Sequence, residues 1–456
     1  MILRTLILSL VLLISGCAKT VRPDLGRLYG FKHQSDEQPP VILIHGAFGS
    51  RLVDDAGVER WPGGLGRILW ADYKDIALEF DRQSLVPTTD QLHVDGITDR
   101  ISGRDFYGRI RQTLESIGGY QLQTAGKPPQ TPGRHYYVFE YDWRQDNVDS
   151  AQKLHRYLDQ IREDLKDDNL TFDIVAHSMG GLITRYFARY GSADVLNDNE
   201  FPVTGIGASY LRRVVLLGTP NLGSITSFTN MVEGMKVGFD RIPPEVLVTF
   251  PSAFQLLPHP LSDWVFSNAG QPMKQDLFDT SVWQNYRISV FSPKIIDNIK
   301  KQYENPSDGD DAINALHAYF NKHIERGRRF VWSLTVPAEQ ASTAYILFGG
   351  DCDLTPNRII AEEIDGQPVI RLHPSKIVNV VPGVDYERLM LEPGDGTVTK
   401  ASLLARTDTD PSVARHRYSY FRLKYPIFLC EHHSQLTGNV NFQDNLMHVL
   451  LSEDRI

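Results

Sequence analysis

Thr171-Phe-Asp-Ile-Val-Ala-His-Ser178-Met-Gly-Gly-Leu-Ile-Thr-Arg185 is the stretch that decides the fold of this chain. Its first part alternates apolar residues as a buried strand does, and the apolar residues after Gly181 recur at helical spacing. Between them, Ala176-His-Ser-Met-Gly180 is a variant of the Gly-x-Ser-x-Gly elbow, a sharp strand-to-helix turn that exposes a serine hydroxyl. The residues two before and two after the serine are small because strand and helix cross there. The stretch therefore predicts that Ser178 is a nucleophile at the top of a sheet.

Further strands and helices surround the elbow in alternating order. Short apolar or aromatic runs at 41–44, 136–144, 214–217 and 344–348 are typical of strands, and 151–165 has the spacing of an amphipathic helix. Alternation of this kind predicts a mostly parallel sheet with helices on both faces. Together with the serine elbow, it predicts the α/β-hydrolase fold.

The loop after the first strand is the expected partner of Ser178. In hydrolases of this fold, a backbone N–H of that loop and the N–H after the nucleophile together form an oxyanion hole. Here these donors are the amides of Ala47 and Met179. His45 in the same loop is expected to shape the loop rather than to act as the base.

An acid and a histidine are expected after the serine, in that order along the chain. The residues leave two choices for each role: Asp351 or Asp395 as the acid, and His432 or His433 as the base. The two adjacent histidines have no further Cys, His or carboxylate cluster beside them, so the sequence predicts no metal and no cofactor.

Two long segments interrupt this pattern. We expect one α/β-hydrolase domain over 41–456, with insertions at about 61–133 and 224–330 that have structure of their own. In the second insertion, Phe228, Met231, Met235 and Phe239 fall at spacings of three and four, which predicts one apolar helical face. A mobile lid over an apolar cleft and a buried cap helix both fit this spacing.

The N-terminal residues resemble a bacterial lipoprotein signal. A positive charge at Arg4 precedes an apolar run that is short for a membrane span, and Ile14-Ser-Gly-Cys17 follows. By this resemblance 1–17 is a signal peptide, Cys17 is lipidated, 18–40 is a tether, and the protein is exported to the bacterial outer membrane. An ordinary cleaved signal or an uncleaved anchor is the alternative.

Cysteine content and charge limit the remaining choices. Without Cys17, an exported chain has Cys352 and Cys430 left, which form either one disulfide or two separate buried thiols. The 47 basic and 56 acidic residues form no basic block, so nucleic acid is not an expected partner. No feature of the sequence identifies a protein partner.

Five segments taken together resemble the lecithin:cholesterol acyltransferase and lysosomal phospholipase A group of α/β-hydrolases. In family order, they are Gly46-Ala-Phe-Gly-Ser-Arg-Leu52, Tyr141-Asp-Trp-Arg144, Ala176-His-Ser-Met-Gly180, Gly218-Thr-Pro-Asn-Leu-Gly-Ser224 and Gly394-Asp-Gly-Thr-Val398. The resemblance implies Ser178 as nucleophile, Asp395 as acid and His433 as base, the last because an apolar residue follows it three places on. The chain departs from the family at His45-Gly46, in the missing paired cysteines near Trp61, and in a lid segment that does not align.

The resemblance implies acyl-ester chemistry on a lipid substrate through a covalent serine intermediate. Hydrolysis of a phospholipid or another lipid ester is the first hypothesis, and transfer of the acyl group to a lipid alcohol is the second. The third hypothesis is an inactive hydrolase fold that serves as a surface interaction module. The lipid anchor would hold the protein at a membrane in each case.

Overall fold

The computed structural model describes residues 22–30, 38–88, 91–101, 104–197, 199–336, 343–406 and 423–452. The predicted signal peptide and its Cys17 therefore lie outside the described residues. No helix in the described ranges combines the length and apolarity that crossing a membrane requires.

Seven parallel strands form the central sheet. In chain order they are β1 Val41–Ile44, β2 Tyr120–Gln123, β3 Arg134–Phe139, β4 Phe172–His177, β5 Leu211–Leu217, β6 Ala344–Gly350 and β7 Leu423–Leu429. They lie side by side in the order β7-β6-β5-β4-β1-β3-β2, and every neighbouring pair is parallel. The α/β-hydrolase fold predicted from the sequence is confirmed.

Alternate side chains of the central strands enter two separate cores. Ile42, Ile174 and Val214 face one core, whereas Leu43 and Val175 face the other. Successive side chains of a strand point to opposite faces, and both faces of a parallel sheet are covered. The continuous apolar runs in the sequence have this origin.

Six major helices accompany the sheet. They are α1 Gly108–Ser116, α2 Asn147–Leu165, α3 Met179–Tyr190, α4 Ile225–Glu233, α5 Pro306–Ser333 and α6 Val440–Leu451. Apolar residues of α2 and α3 belong to the first core, and those of α1 and α6 belong to the second. The helices therefore cover both faces of the sheet, as the predicted fold requires.

The remaining elements are short. The strands are Ser50–Asp54, Glu59–Trp61, Leu92–Ile97, Arg100–Ile101, Arg104–Asp105, Met235–Val237, Asp240–Ile242, Val265–Ser267, Pro272–Met273, Asp353–Pro356, Ile359–Ile364, Gln367–Arg371 and Leu391–Gly394. The α-helices are Leu25–Tyr29, Leu65–Trp70, Pro244–Leu247, Pro251–Phe254, Thr280–Asn285, Pro293–Lys300, Tyr386–Met390 and Lys400–Leu403. The 3₁₀ turns are Lys74–Ile76, Ile206–Tyr210, Ser289–Phe291, Pro374–Lys376 and His433–Gly438.

The first insertion is shorter than predicted. Strand β2 lies inside the predicted range 61–133, yet it forms the edge of the central sheet beside β3. Its Gln121 and Leu122 are exposed, because an edge strand is covered less than a central one. The continuous apolar run that marks a buried parallel strand is therefore missing here, and no local pattern indicates β2.

The apolar helical face predicted in the second insertion is wrong beyond α4. Phe228 and Met231 are buried on α4, but the helix ends at Gly234, where φ is +84°. Met235 begins a two-stranded hairpin, and Phe239 lies at its turn with 81% of its surface exposed. The apolar spacing of three and four continues past the end of α4, but the residues beyond it do not share a helical face with Phe228 and Met231.

Candidate active site

Ser178 occupies the turn between β4 and α3. Its φ of +53° and ψ of −124° are unusual for a residue with a side chain, and its N–H donates to the Leu217 carbonyl at 2.7 Å. Such a strained strand-to-helix turn is how this fold presents a nucleophile. The elbow geometry predicted from Ala176-His-Ser-Met-Gly180 is therefore present.

His433 and Asp395 lie next to Ser178 in one hydrogen-bonded chain. His433 Nε2 is 2.9 Å from Ser178 Oγ, and His433 Nδ1 is 2.8 Å from Asp395 Oδ2. A carboxylate accepts, so Nδ1 carries the proton and the lone pair of Nε2 faces the serine hydroxyl. This is the tautomer that a base needs in order to receive the hydroxyl proton.

The Asp395 carboxylate is held by its own tight loop. It is buried, and its Oδ1 accepts the backbone N–H groups of Thr397 at 3.0 Å and Val398 at 2.7 Å. Gly396 adopts φ of +85°, which lets the chain turn back after the aspartate. The glycines on both sides of Asp395 thus serve the loop that presents a single carboxylate.

The two alternative site residues lie apart from the hydrogen-bonded series of Ser178, His433 and Asp395. Asp351 pairs with Lys400 at 2.9 Å. His432 has 70% of its side chain exposed and pairs with Asp353 at 2.5 Å. Cys352 and Cys430 form a disulfide beside them, which joins the loop after β6 to the loop after β7. The structure therefore groups Asp395 and His433, and not Asp351 or His432, with the serine.

The loop after β1 lies directly against the elbow. A Cβ at Gly46 would be 2.7 Å from the Ser178 Cβ, and a Cβ at Gly180 would be 2.4 Å from the His45 carbonyl oxygen. Among the described residues, no acceptor binds the backbone N–H of Ala47 or of Met179. Both amides are therefore free of protein acceptors in the described part of the chain, and their role as oxyanion donors stays a prediction.

His45 shapes the loop and does not face the serine. Its Nδ1 donates to the Gly46 carbonyl at 2.8 Å, its Nε2 accepts the Tyr141 N–H at 3.3 Å, and its ring stacks on Tyr141 with centroids 4.2 Å apart. Full burial lowers its pKa to about 4, so the ring is neutral at neutral pH.

The Tyr141-Asp-Trp-Arg144 motif is a brace for the same loop. Arg144 is fully buried and donates to the Asp142 carboxylate at 2.8 and 3.0 Å and to the Ile76 carbonyl at 3.1 Å. Trp143 Nε1 donates to the Ser50 carbonyl at 3.1 Å. The motif therefore ties the first insertion and the loop after β1 together.

Comparison with known proteins identifies the family. A model of the lecithin:cholesterol acyltransferase family matches residues 131–405, which is more than half of the chain. The chain belongs to the lecithin:cholesterol acyltransferase family. Membership of this family supports a lipid ester hydrolase or acyltransferase, without resolving which of the two. A search of curated proteins found no match.

Among solved structures, one match with a TM-score above 0.5 shows similarity in fold. The protein of the Tle4-Tli4 complex has 16% sequence identity and a TM-score of 0.52, and the match covers 91% of this chain and 98% of that chain. Lipase 1 from Pelosinus fermentans has 14% identity and a TM-score of 0.36, with 92% and 100% covered.

Sequence reasoning missed the roles of two residues, Tyr107 in the first insertion and His177 inside the serine motif. Tyr107 OH lies 2.8 Å from the Gly46 nitrogen and 2.8 Å from His177 Nδ1. The position of His177 directly before the nucleophile was an available signal, although it gives no indication of a partner. A single tyrosine in an insertion carried no signal at all.

Proposed function

We propose that this protein hydrolyses lipid esters through an acyl-enzyme intermediate on Ser178. The observation that carries the proposal is the hydrogen-bonded chain from Ser178 Oγ through His433 to Asp395, with contacts of 2.9 and 2.8 Å. The family supplies the lipid ester as the class of substrate.

Acylation begins when His433 Nε2 takes the proton of Ser178 Oγ as this oxygen bonds to the ester carbonyl carbon. The carbonyl π electrons move to oxygen, and the amides of Ala47 and Met179 stabilise the resulting oxyanion. Asp395 keeps the imidazolium in place. When the carbonyl re-forms, the alcohol leaves with the proton from His433, and Ser178 remains acylated.

Deacylation repeats these steps with a different nucleophile. His433 takes a proton from water, whose oxygen bonds to the acyl carbon, and the proton returns to Ser178 as the fatty acid leaves. If a lipid alcohol takes the place of water, the product is a new ester. The family name favours this second outcome, whereas the abundance of water outside the cell favours hydrolysis.

The test is a product assay on phospholipid vesicles with and without a long-chain alcohol. We expect free fatty acid from the wild-type protein and none above background from Ser178→Ala. Substitution of an exposed serine, Ser209→Ala, is the matched control and should leave the rate unchanged. Mainly ester product in the presence of alcohol would replace hydrolysis by acyl transfer, and equal rates for wild type and Ser178→Ala would refute the proposal.

The third hypothesis, an inactive fold used for interaction, predicts no product with any ester. The intact chain of contacts at Ser178 argues against it, because an abandoned site is free to lose any of these side chains. A folded wild-type protein that hydrolyses none of a panel of lipid esters would support this third hypothesis instead.

We also propose that the protein is exported and anchored to the bacterial outer membrane through a lipid on Cys17. The support is the sequence of residues 1–17 alone. Cys17→Ala should prevent incorporation of labelled palmitate and move the protein from the detergent phase to the aqueous phase on partitioning. Unchanged labelling of the variant would contradict the anchor.

A further inference from the structure

Tyr107 connects two other segments of the candidate active site. It lies directly before α1, in the first insertion, and is buried. Its hydroxyl contacts Gly46 N in the loop after β1 and His177 Nδ1 on the strand that leads to Ser178, both at 2.8 Å. His177 Nε2 in turn lies 3.3 Å from the carbonyl oxygen of His433.

The direction of each hydrogen bond follows from the first. The Gly46 N–H can only donate, so the Tyr107 oxygen accepts it and the hydroxyl hydrogen is free to donate to His177 Nδ1. Nδ1 is then an acceptor, and the imidazole proton must lie on Nε2. This N–H donates to the His433 carbonyl, which can only accept. All three hydrogen bonds are therefore satisfied by the His177 tautomer that carries its proton on Nε2.

Burial keeps His177 neutral, and its hydrogen bonds then select this tautomer. The ring is almost inaccessible, and burial, with smaller effects from His433 and His45, holds its pKa well below the ordinary value. A protonated His177 would present two donors, and the Tyr107 hydroxyl hydrogen would then have no acceptor at Nδ1.

Both backbone polar groups of His433, its N–H and its carbonyl, are consequently hydrogen-bonded. Its N–H donates to the Asp395 carbonyl at 2.9 Å, and its carbonyl accepts from His177. The segment around Tyr107 adds two contacts to the same turn. Gln435 Nε2 donates to the Asp105 carbonyl at 3.1 Å, and the Thr437 hydroxyl donates to the Phe106 carbonyl.

From this network we infer that Tyr107, acting through His177, is a positioning residue that sets the oxyanion loop and the His433 loop relative to each other. The inference rests on the proposed function. Tyr107 touches neither Ser178 nor a reacting atom. Its contribution is to fix the Gly46 amide, next to Ala47, relative to the backbone carbonyl of His433.

The test begins with Tyr107→Phe, which keeps the ring and removes both hydroxyl contacts. We expect kcat on a lipid ester to fall about tenfold or more with KM within about twofold, because the loss concerns groups that act in the transition state. Tyr137→Phe is the matched control. It removes a buried tyrosine hydroxyl that has no hydrogen-bond partner among the described residues, so kcat should stay near wild type.

Two substitutions of His177 separate the halves of the network. In His177→Gln the amide N–H takes the place of Nε2–H, and in His177→Asn the side-chain oxygen takes the place of Nδ1. Each should lower kcat, and Tyr107→Phe/His177→Gln should be no slower than the slower single variant, because both interrupt one network. If Tyr107→Phe fails to fold, the two His177 variants still decide the matter.

The inference is overturned if folded Tyr107→Phe matches wild type in kcat, or if the losses in the double variant simply multiply. Fluorophosphonate labelling of the wild type but not of Ser178→Ala, measured in the same series, keeps the two proposals apart. Labelling that survives Ser178→Ala refutes the proposed function, whereas normal turnover of Tyr107→Phe with Ser178-dependent labelling refutes only the positioning role.

Discussion

Two adjacent glycines allow α3 to start where it does. A Cβ at Gly181 would be 2.0 Å from Thr219 Oγ1, and a Cβ at Gly180 would be 2.4 Å from the backbone oxygen of His45. The first neighbour is a side chain, whereas the second is main chain of the loop that carries Ala47. Gly180 is therefore the position at which added volume should disturb the candidate oxyanion hole.

Gly180→Ala should push the loop after β1 away from Ser178. We expect ester turnover to fall by about 10²-fold, the effect of losing one oxyanion donor, and the free energy of unfolding to fall by about 1–3 kcal/mol through overpacking. Gly66→Ala is the matched control, since nothing lies within 4 Å of the added Cβ in that short helix. Wild-type turnover in Gly180→Ala would contradict the assigned role of the loop.

The adjacent histidines should differ sharply when each is replaced by alanine. His433→Ala removes the contact to Ser178 Oγ, so kcat should fall by about 10²–10⁴. His432→Ala removes an exposed pair with Asp353 and should change kcat by less than about threefold. Steady-state hydrolysis of a soluble ester measures both, and comparable losses would mean that the base has been assigned to the wrong ring.

At the scale of single residues, the sequence predicted those site residues that lie in a recognisable motif. Ser178 has a motif, and glycines flank Asp395. The adjacent histidines gave no internal means of choosing, and only the family resemblance selected His433. Tyr107 could not be predicted, because its partners are 61 and 70 residues away along the chain.

At the scale of elements, the disulfide joins the two loops that follow β6 and β7. It closes a segment with a sequence separation of 78 residues and lies three residues before His433. Closing a loop of this length restricts the unfolded chain, which stabilises the fold by about 4 kcal/mol in the chain-entropy model.

Replacement of both cysteines by serine should therefore lower the free energy of unfolding by about 4 kcal/mol. Guanidinium unfolding of the double variant measures this loss, and the wild-type protein in reductant should show a similar one. A midpoint equal to that of the oxidised wild type would contradict the stabilising role.

Elements with a distinctive pattern were predicted, and those set by tertiary context were not. The apolar run of β1 and the periodicity of α2 matched their places in the sheet and beside it. Strand β2 was missed because an edge strand needs no continuous apolar run. The hairpin after α4 was missed because glycine backbone geometry, at Gly234 with φ of +84° and Gly238 with φ of +59°, overrides the apolar spacing.

At the scale of the whole molecule, neutral buried histidines are distributed through the fold. His259 lies in the second insertion, where Nε2 donates to Thr335 Oγ1 at 2.9 Å and Nδ1 accepts the Leu261 N–H at 3.1 Å. Burial lowers its pKa to about 3, and burial lowers that of His323 to about 4.

These lowered pKa values make stability depend on pH in a definite direction. The unfolded chain protonates histidine near pH 6.5 and the folded chain only near the lowered value, so the contribution is complete above about 6.5. Below that, each such histidine lowers the free energy of unfolding by about 1.4 kcal/mol per pH unit until its folded-state pKa is reached.

His259→Gln should remove one such contribution. Its unfolding free energy should decline less steeply than that of the wild type between about pH 6 and 4.5, by about 1 kcal/mol per pH unit. Denaturant titrations at several pH values give both slopes. Identical slopes would mean that His259 is protonated in the folded protein.

The sequence predicted the general architecture of the molecule because alternating strands and helices allow few arrangements of a parallel sheet. It did not predict how the insertions pack. For example, Val265–Ser267 pairs with Ile359–Ile364 across a long stretch of chain. Pairing over such a distance depends on side-chain packing that no local pattern encodes.

The central claim is that Ser178, activated by His433, is the nucleophile that becomes acylated. The most direct test is to treat the folded protein with a fluorophosphonate probe and locate the modified residue by tandem mass spectrometry. We expect a single modified peptide carrying the probe on Ser178, lost in Ser178→Ala and slowed at least about 10²-fold in His433→Ala. Modification of another serine, or undiminished labelling of Ser178→Ala, would contradict the account.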